Sequence, residues 1–106
     1  MQAAIGRAAP RAAFHGWVEI TVQGARRRVS GTDLCTRGIG LRVASTPPPA
    51  AAPVLAEFAL PGIGLPLALR GVVAWSDPAR ERCGIRFLDI DPGLEELIAS
   101  YVAGRL

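Results

Sequence analysis

Two short groups of side chains in this sequence have types and spacings that could contact a ligand. Arg7 and Arg11 stand four residues apart near the start of the chain, and Asp33, Cys35 and Gly38 follow one another around a predicted strand-ending loop. A guanidinium donates two parallel hydrogen bonds to a phosphate or to a guanine edge. Each group also has an ordinary explanation, a solvated arm for the arginines and a plain turn for Asp33 and Gly38.

The reactive side chains of the sequence predict that the protein is not an enzyme. Catalysis needs a nucleophile, an acid–base pair or a metal, and the sequence offers one histidine, two cysteines and nine scattered carboxylates. His15, Cys35 and Cys83 lack the spacing of metal ligands, so we predict no metal site and no cofactor. The glycines of segments 38–40 and 62–64 lack the context of phosphate-cradling loops and indicate turns.

Length and composition predict one small domain. A chain of 106 residues is large enough for a single core and too small for two. No apolar run is long enough to span a bilayer, and residues 1–9 do not resemble a signal peptide, so we expect a cytoplasmic protein without membrane insertion. Every basic residue is arginine and the net charge is +3. A G- and C-rich genome also produces this composition, so the charge alone identifies no partner.

The elements that must position these side chains are predicted to be short strands. Segment 17–22 alternates, which places Val18, Ile20 and Val22 on one face. Segment 25–33 is unusually polar and is predicted to be an exposed strand. Four further strands, separated by Gly and Pro turns, are predicted over 39–43, 54–60, 65–75 and 83–88.

One amphipathic helix is predicted to end the domain. Asp91 is a good N-cap, Pro92 suits the first helical position, and apolar residues then recur at steps of three and four. Six strands followed by one helix predict an all-β fold with one C-terminal helix, a six-stranded antiparallel barrel on which the helix packs. We predict a flexible N-terminal arm over 1–13 and the barrel with its helix over 14–106.

Taken in order along the chain, these features resemble the PilZ domain family. Its nucleotide-binding members carry Arg-x-x-x-Arg before the first strand, matched here by Arg7 and Arg11. They carry Asp/Asn-x-Ser-x-x-Gly after the second strand, matched by Asp33 and Gly38, with Cys35 at the serine position. The resemblance covers residues 7–103 and includes three framework blocks, residues 58–61, 71–75 and 84–87.

The resemblance implies binding of the second messenger cyclic di-GMP at Arg7, Arg11, Asp33, Cys35 and Gly38. The two arginines would engage phosphates or guanine edges, and the Asp33 carboxylate would accept from guanine N1 and N2. Gly38 would let backbone approach the ligand or adopt a positive φ. Ligand gripped between arm and barrel would order the arm, a change that signals to a downstream protein not identified by the sequence.

Cys35 departs from the family pattern, and the departure predicts weaker binding. A thiol is a poorer donor than a hydroxyl, which predicts a loss of about fivefold to tenfold in affinity. Gly6 offers no extra contact, which favours one ligand molecule per site. Trp17 and Trp75 are interpreted as structural, because aromatic side chains in a small barrel usually belong to its core or to an interface.

Two alternatives stand beside a cyclic di-GMP receptor. The first is a PilZ-like protein–protein interaction module that no longer binds nucleotide and acts in motility, secretion or envelope regulation. The second is a nucleic-acid binder, suggested by the arginine content. The predicted strands lack the repeated exposed aromatics of a single-strand platform, so we expect no nucleic-acid partner.

Overall fold

The computed structural model describes residues 10–105, and within them the chain folds into seven strands and one α-helix. Antiparallel pairing is expected because the connections between successive strands are short, apart from residues 43–52 between the fourth and fifth. The elements are β1 (Ala12–Ala13), β2 (Trp17–Val22), β3 (Ala25–Cys35), β4 (Gly38–Arg42), β5 (Pro53–Ala59), β6 (Pro66–Asp77), a 3₁₀ turn (Pro78–Arg80), β7 (Arg82–Phe87) and α1 (Pro92–Arg105).

Six of the strands close into an antiparallel barrel. The order of neighbours is β3-β2-β5-β6-β7-β4, and β4 pairs again with β3, so the sheet has no open side. This confirms the predicted six-stranded barrel with one C-terminal helix. The predicted strand β2 has the observed bounds, and the predicted exposed strand extends two residues further, to Cys35.

The barrel interior is filled by side chains from alternate positions. Val18 and Ile20 of β2 are fully buried, as are Leu41 of β4 and Cys83 of β7, which face one another across a pair of strands. Phe14 packs edge-on against Phe58 within this core. Alternation therefore assigns the inner face correctly wherever a strand is regular.

Helix α1 begins where the sequence predicts. The Asp91 carboxylate accepts hydrogen bonds from the backbone N–H groups of Gly93 (2.9 Å) and Leu94 (3.3 Å), which satisfies two donors of the first turn. Ile98 is buried, and the Tyr101 hydroxyl donates to the Ala13 carbonyl at 3.2 Å. The helix thus packs on the barrel next to β1. No helix in the described part of the chain is long and apolar enough to cross a membrane.

The last residues of the predicted N-terminal arm lie on the barrel. Ala12 and Ala13 form β1, which pairs with Leu34 and Asp33 at the end of β3, and Ala12 is buried. Two alanines carry no strand signal of their own, so only pairing with β3 reveals this element. Residues 1–9, including Arg7, lie outside the described residues, and the division into arm and barrel stays a prediction.

Two β-bulges interrupt the regular alternation of the barrel. Thr32 is an extra residue of β3, because Gly31 pairs with Leu41 while Asp33 pairs with Gly40. Ala74 is an extra residue of β6, because Val73 pairs with Ile85 while Trp75 pairs with Gly84. A bulge shifts the side chains beyond it to the opposite face, so each of these single residues decides which side chains leave the core.

Candidate functional site

The floor of the candidate site is formed by glycine backbone, which carries no side chains, on the outer face of β4 and β7. Gly40 and Gly84 are directly opposite one another, and Gly38 is opposite Arg86. Their neighbours Ile39 and Ile85 point into the core. Three outward positions without side chains leave a shallow depression between larger groups on both sides.

Gly38, expected to contact ligand, has a structural reason to be glycine. A Cβ atom at this position would overlap the carbonyl oxygen of Ile85 on β7. Its φ is not positive, unlike that of Gly24, so the need is for close approach of two strands. The requirement holds whether or not a ligand is present.

Arg11 and Asp33 form one side of the depression. Strand β1 places Arg11 beside the end of β3, and the bulge at Thr32 turns Asp33 outwards over Gly40. Arg11 Nη1 lies 3.1 Å from Asp33 Oδ2, with side chains 54% and 36% exposed. Both charged groups are therefore held in place and still open to a ligand.

Cys35 closes the turn between β3 and β4. Its Sγ accepts a hydrogen bond from the backbone N–H of Arg37 at 3.4 Å, and the residue is only 2% exposed. It lines a cavity of about 210 Å³ together with Arg11, Gly38 and Arg86. The thiol thus belongs to the site wall as a turn-closing acceptor.

Trp75 forms the opposite side of the depression. By simple alternation after Val73 its side chain would point into the barrel, but the extra residue Ala74 turns it outwards. The indole lies over Gly84, lines the same cavity and is 47% exposed. Trp17 is 64% exposed, so neither tryptophan belongs to the core.

The site carries an excess of positive charge. Arg37 and Arg86 line the cavity, and neither lies within 4.0 Å of a carboxylate in the described range 10–105. Asp33 supplies the nearby negative charge and is already engaged by Arg11. An anion entering the depression would therefore meet donors without displacing internal ion pairs of Arg37 or Arg86.

The fold brings together four of the five residues singled out from the sequence, Arg11, Asp33, Cys35 and Gly38. The fifth, Arg7, lies outside the described residues.

Sequence reasoning interpreted Trp75 as structural and did not place it at this site, because its outward face depends on a bulge. It also missed Arg37 and Arg86, although the position of Arg86 between the inward-facing Ile85 and Phe87 would have placed it outside the barrel. Among residues 10–105 no three His, Cys, Asp or Glu side chains cluster in a way that would hold a metal ion.

Comparison with solved structures shows the same fold in proteins of low sequence identity. MotI/DgrA, the inhibitor of motility of Bacillus subtilis, superposes with a TM-score of 0.76 at 17% identity, covering 93% of this chain and 50% of that one. The chain therefore spans half the length of MotI/DgrA. The PilZ domain of CeSA from a cellulose-synthesizing bacterium gives a TM-score of 0.69 at 18% identity, over 89% and 95% of the two chains.

The PilZ domain of YcgR from Escherichia coli, whose structure includes c-di-GMP, gives a TM-score of 0.73 at 17% identity, over 93% and 90% of the chains. No curated protein sequence matches significantly. The family model described as PilZ domain matches residues 6–104, nearly the whole sequence. With the six-stranded barrel, the terminal helix and this match, the chain belongs to the PilZ domain family.

Proposed function

We propose that the chain is a cyclic di-GMP receptor module. The observation that carries the proposal is the convergence of Arg11, Asp33, Cys35 and Gly38 on one outer wall, beside an exposed tryptophan. Membership of the PilZ family supports it, as does the presence of c-di-GMP in the structure of the YcgR domain.

The chemistry of the wall fits a ligand with two guanines and two phosphates. The Arg11 and Arg86 guanidinium groups offer forked donors to phosphate oxygens or to guanine O6 and N7. Asp33 Oδ1, the carboxylate oxygen other than the one that Arg11 contacts, can accept hydrogen bonds from guanine N1 and N2. The indole of Trp75 offers an apolar face for a base, and stacking of a base on an aromatic ring contributes about 1–3 kcal/mol.

The proposed signal is a change in the N-terminal arm. Strand β1 already holds Arg11 on the barrel, so the ligand would be gripped between this fixed arginine and Arg7, which precedes it by one four-residue step. A change of conformation of the N-terminal arm on ligand binding would then present a new surface to a partner protein. Slower amide hydrogen exchange in residues 1–9 on adding ligand tests this step.

The competing proposal is an interaction module without nucleotide binding, which the buried Cys35 at the serine position favours. Isothermal titration of cyclic di-GMP, with GTP and cyclic di-AMP as controls, separates the two. We expect saturable heat for cyclic di-GMP alone, and a loss of binding in Arg11→Ala. Arg26→Ala is the matched control, because Arg26 lies against Glu19 of β2 and Glu57 of β5, the strands across the barrel from β4 and β7. No heat and no thermal shift at high ligand concentration would favour the interaction module.

A further inference from the structure

A second group of cations lies on the same outer wall, beyond Trp75. Arg42, Arg80 and Arg82 line a cavity of about 380 Å³ with Trp75 and Asp77. Trp75 also lines the cavity of the candidate ligand site, so the two depressions share one side chain. We call Arg42, Arg80 and Arg82 the upper arginine cluster.

Two members of the upper arginine cluster place like charges at directly opposed positions of neighbouring strands. Arg42 on β4 and Arg82 on β7 are directly opposite, and both face outwards. Like charges in such a cross-strand pair destabilise a sheet. Asp77 of β6 is directly opposite Arg82 on its other side, but neither Arg42 nor Arg82 has a carboxylate within 4.0 Å in the described part of the chain. Arg80 has only Asp77, at 3.8 Å.

On β3, two neighbouring arginines find partners within the chain. Arg26 lies against the carboxylates of Glu19 and Glu57. Arg27 donates to the carbonyl oxygens of Thr46 (2.7 Å) and Ala44 (2.8 Å). The opposed pair Arg42 and Arg82 has no carboxylate partner within 4.0 Å among the described residues, and an external anion would relieve its repulsion.

We propose that the upper arginine cluster docks an acidic segment of a partner protein through that segment's carboxylates. Guanidinium groups bind carboxylates through paired, directional hydrogen bonds. Asp33 lines a neighbouring cavity with Arg42 and Arg82, and Asp77 stands beside Arg80. Carboxylates therefore border the cluster on two sides and confine the positive charge to a short stretch, which fits the few carboxylates of a short acidic segment better than a long phosphodiester backbone.

The inference rests on the proposed function in one respect, since the docked protein would be the one that ligand binding regulates. Trp75 supplies the link. A nucleotide that fixes the indole over Gly84 also fixes one wall of the upper arginine cluster. If the nucleotide changes the affinity for the acidic segment by a certain factor, thermodynamic linkage requires that the segment change the affinity for the nucleotide by the same factor.

The test uses the full chain without nucleotide and a fluorescein-labelled oligoglutamate peptide, followed by fluorescence anisotropy. Arg82→Gln and Arg80→Gln are expected to weaken peptide binding by about threefold to tenfold each. Arg26→Gln, which removes the same charge over β2 and β5 on the opposite side of the barrel, should change it by less than about twofold. Thermal melting provides the folding control. Arg82→Gln should leave Tm nearly unchanged, because it removes both the repulsion from Arg42 and the attraction of Asp77 on the neighbouring strand. Arg80→Gln should do the same, because Arg80 stands on an exposed turn.

Three results would overturn the docking surface. They are no binding of the peptide by the wild type, an equal loss in Arg26→Gln, and tighter binding of an oligothymidylate strand with the same sensitivity to Arg82→Gln. Titration of cyclic di-GMP on the same variants keeps the two proposals apart. A chain that binds the peptide through Arg80 and Arg82 and no nucleotide removes the receptor function and keeps the docking surface. A chain that binds nucleotide and no peptide removes the docking surface and keeps the receptor function.

Discussion

The indole of Trp75 lies directly over Gly84, so that a Cβ atom at residue 84 would stand 2.6 Å from Cε2 of the ring. Gly84→Ala is therefore expected to push the ring off its place. Because the ring is half exposed, it can swing towards solvent, and Tm should change little. Loss of an oriented base-stacking surface should weaken cyclic di-GMP binding by about fivefold to tenfold.

Isothermal titration and tryptophan emission check the Gly84→Ala prediction. Gly104→Ala is the matched control, because no atom of the described residues comes within 4 Å of a Cβ at that helical position. It should stabilise the fold by up to about 1 kcal/mol and leave affinity unchanged. Equal affinity of the wild type and Gly84→Ala would remove Trp75 from the proposed site.

The exposed Arg11–Asp33 ion pair separates binding from stability. Because both side chains are partly solvated, their interaction contributes about 0–1 kcal/mol to folding. Arg11→Ala or Asp33→Ala should therefore leave Tm nearly unchanged while reducing cyclic di-GMP affinity by about tenfold or more. Calorimetric titration beside thermal melting makes the comparison. If both variants bind as the wild type does, the site assignment is wrong.

Cys35→Ser is expected to strengthen nucleotide binding. The Cys35 Sγ accepts the Arg37 N–H at 3.4 Å, and a serine oxygen can accept the same bond while adding a better donor towards the cavity. The gain should be about fivefold to tenfold, the value of one neutral hydrogen bond of roughly 1 kcal/mol. Parallel titrations of the two proteins measure it. A weaker serine variant would mean that the sulfur itself makes a favourable contact.

Burial raises the pKa of the Cys83 thiol to about 11, against a small opposing effect of the Arg27 charge. The unfolded chain releases this proton above its ordinary pKa of 9.0, while the folded chain keeps it. The folded state thus binds more protons between these values, and stability falls as pH rises through them. The expected loss in the free energy of unfolding is on the order of 2–3 kcal/mol.

Urea unfolding across this alkaline range, in the wild type and in Cys83→Ala, isolates the thiol. The variant should be less stable at neutral pH, by about 1 kcal/mol, because it leaves a small cavity. The difference between the two proteins should shrink or reverse as the pH rises. A difference in the free energy of unfolding that stays constant with pH would show that folding does not change the pKa of Cys83.

The sequence predicts most of this architecture because the barrel strands alternate regularly. The spacing of Val18 and Ile20 is enough to identify the inner face of β2, and the capping chemistry of Asp91 is enough to identify the start of the helix. The short strand β1 is different. Ala12 has no strand preference, and its burial depends on β3, which is distant in sequence.

The candidate site is predictable only in part, for a related reason. Asp33 and Gly38 stand out through a motif, and Arg11 through its spacing from Arg7. The place of Trp75 depends on an extra residue that no local pattern marks, since alanine is common in strands and turns alike. The two extra residues act on pairing between strands, and pairing is a property of the folded barrel.

The bulges at Thr32 and Ala74 have a consequence for how this site varies between relatives. Deleting Ala74 would remove none of the side chains proposed to touch the ligand, yet it would turn Trp75 towards the core. A gap of one codon can therefore be more harmful here than most substitutions. A relative that keeps the arginines, the aspartate and the glycine of the motifs but lacks either extra residue would present a different wall. The number of residues in β3 and in β6 therefore helps to determine which side chains face the proposed ligand.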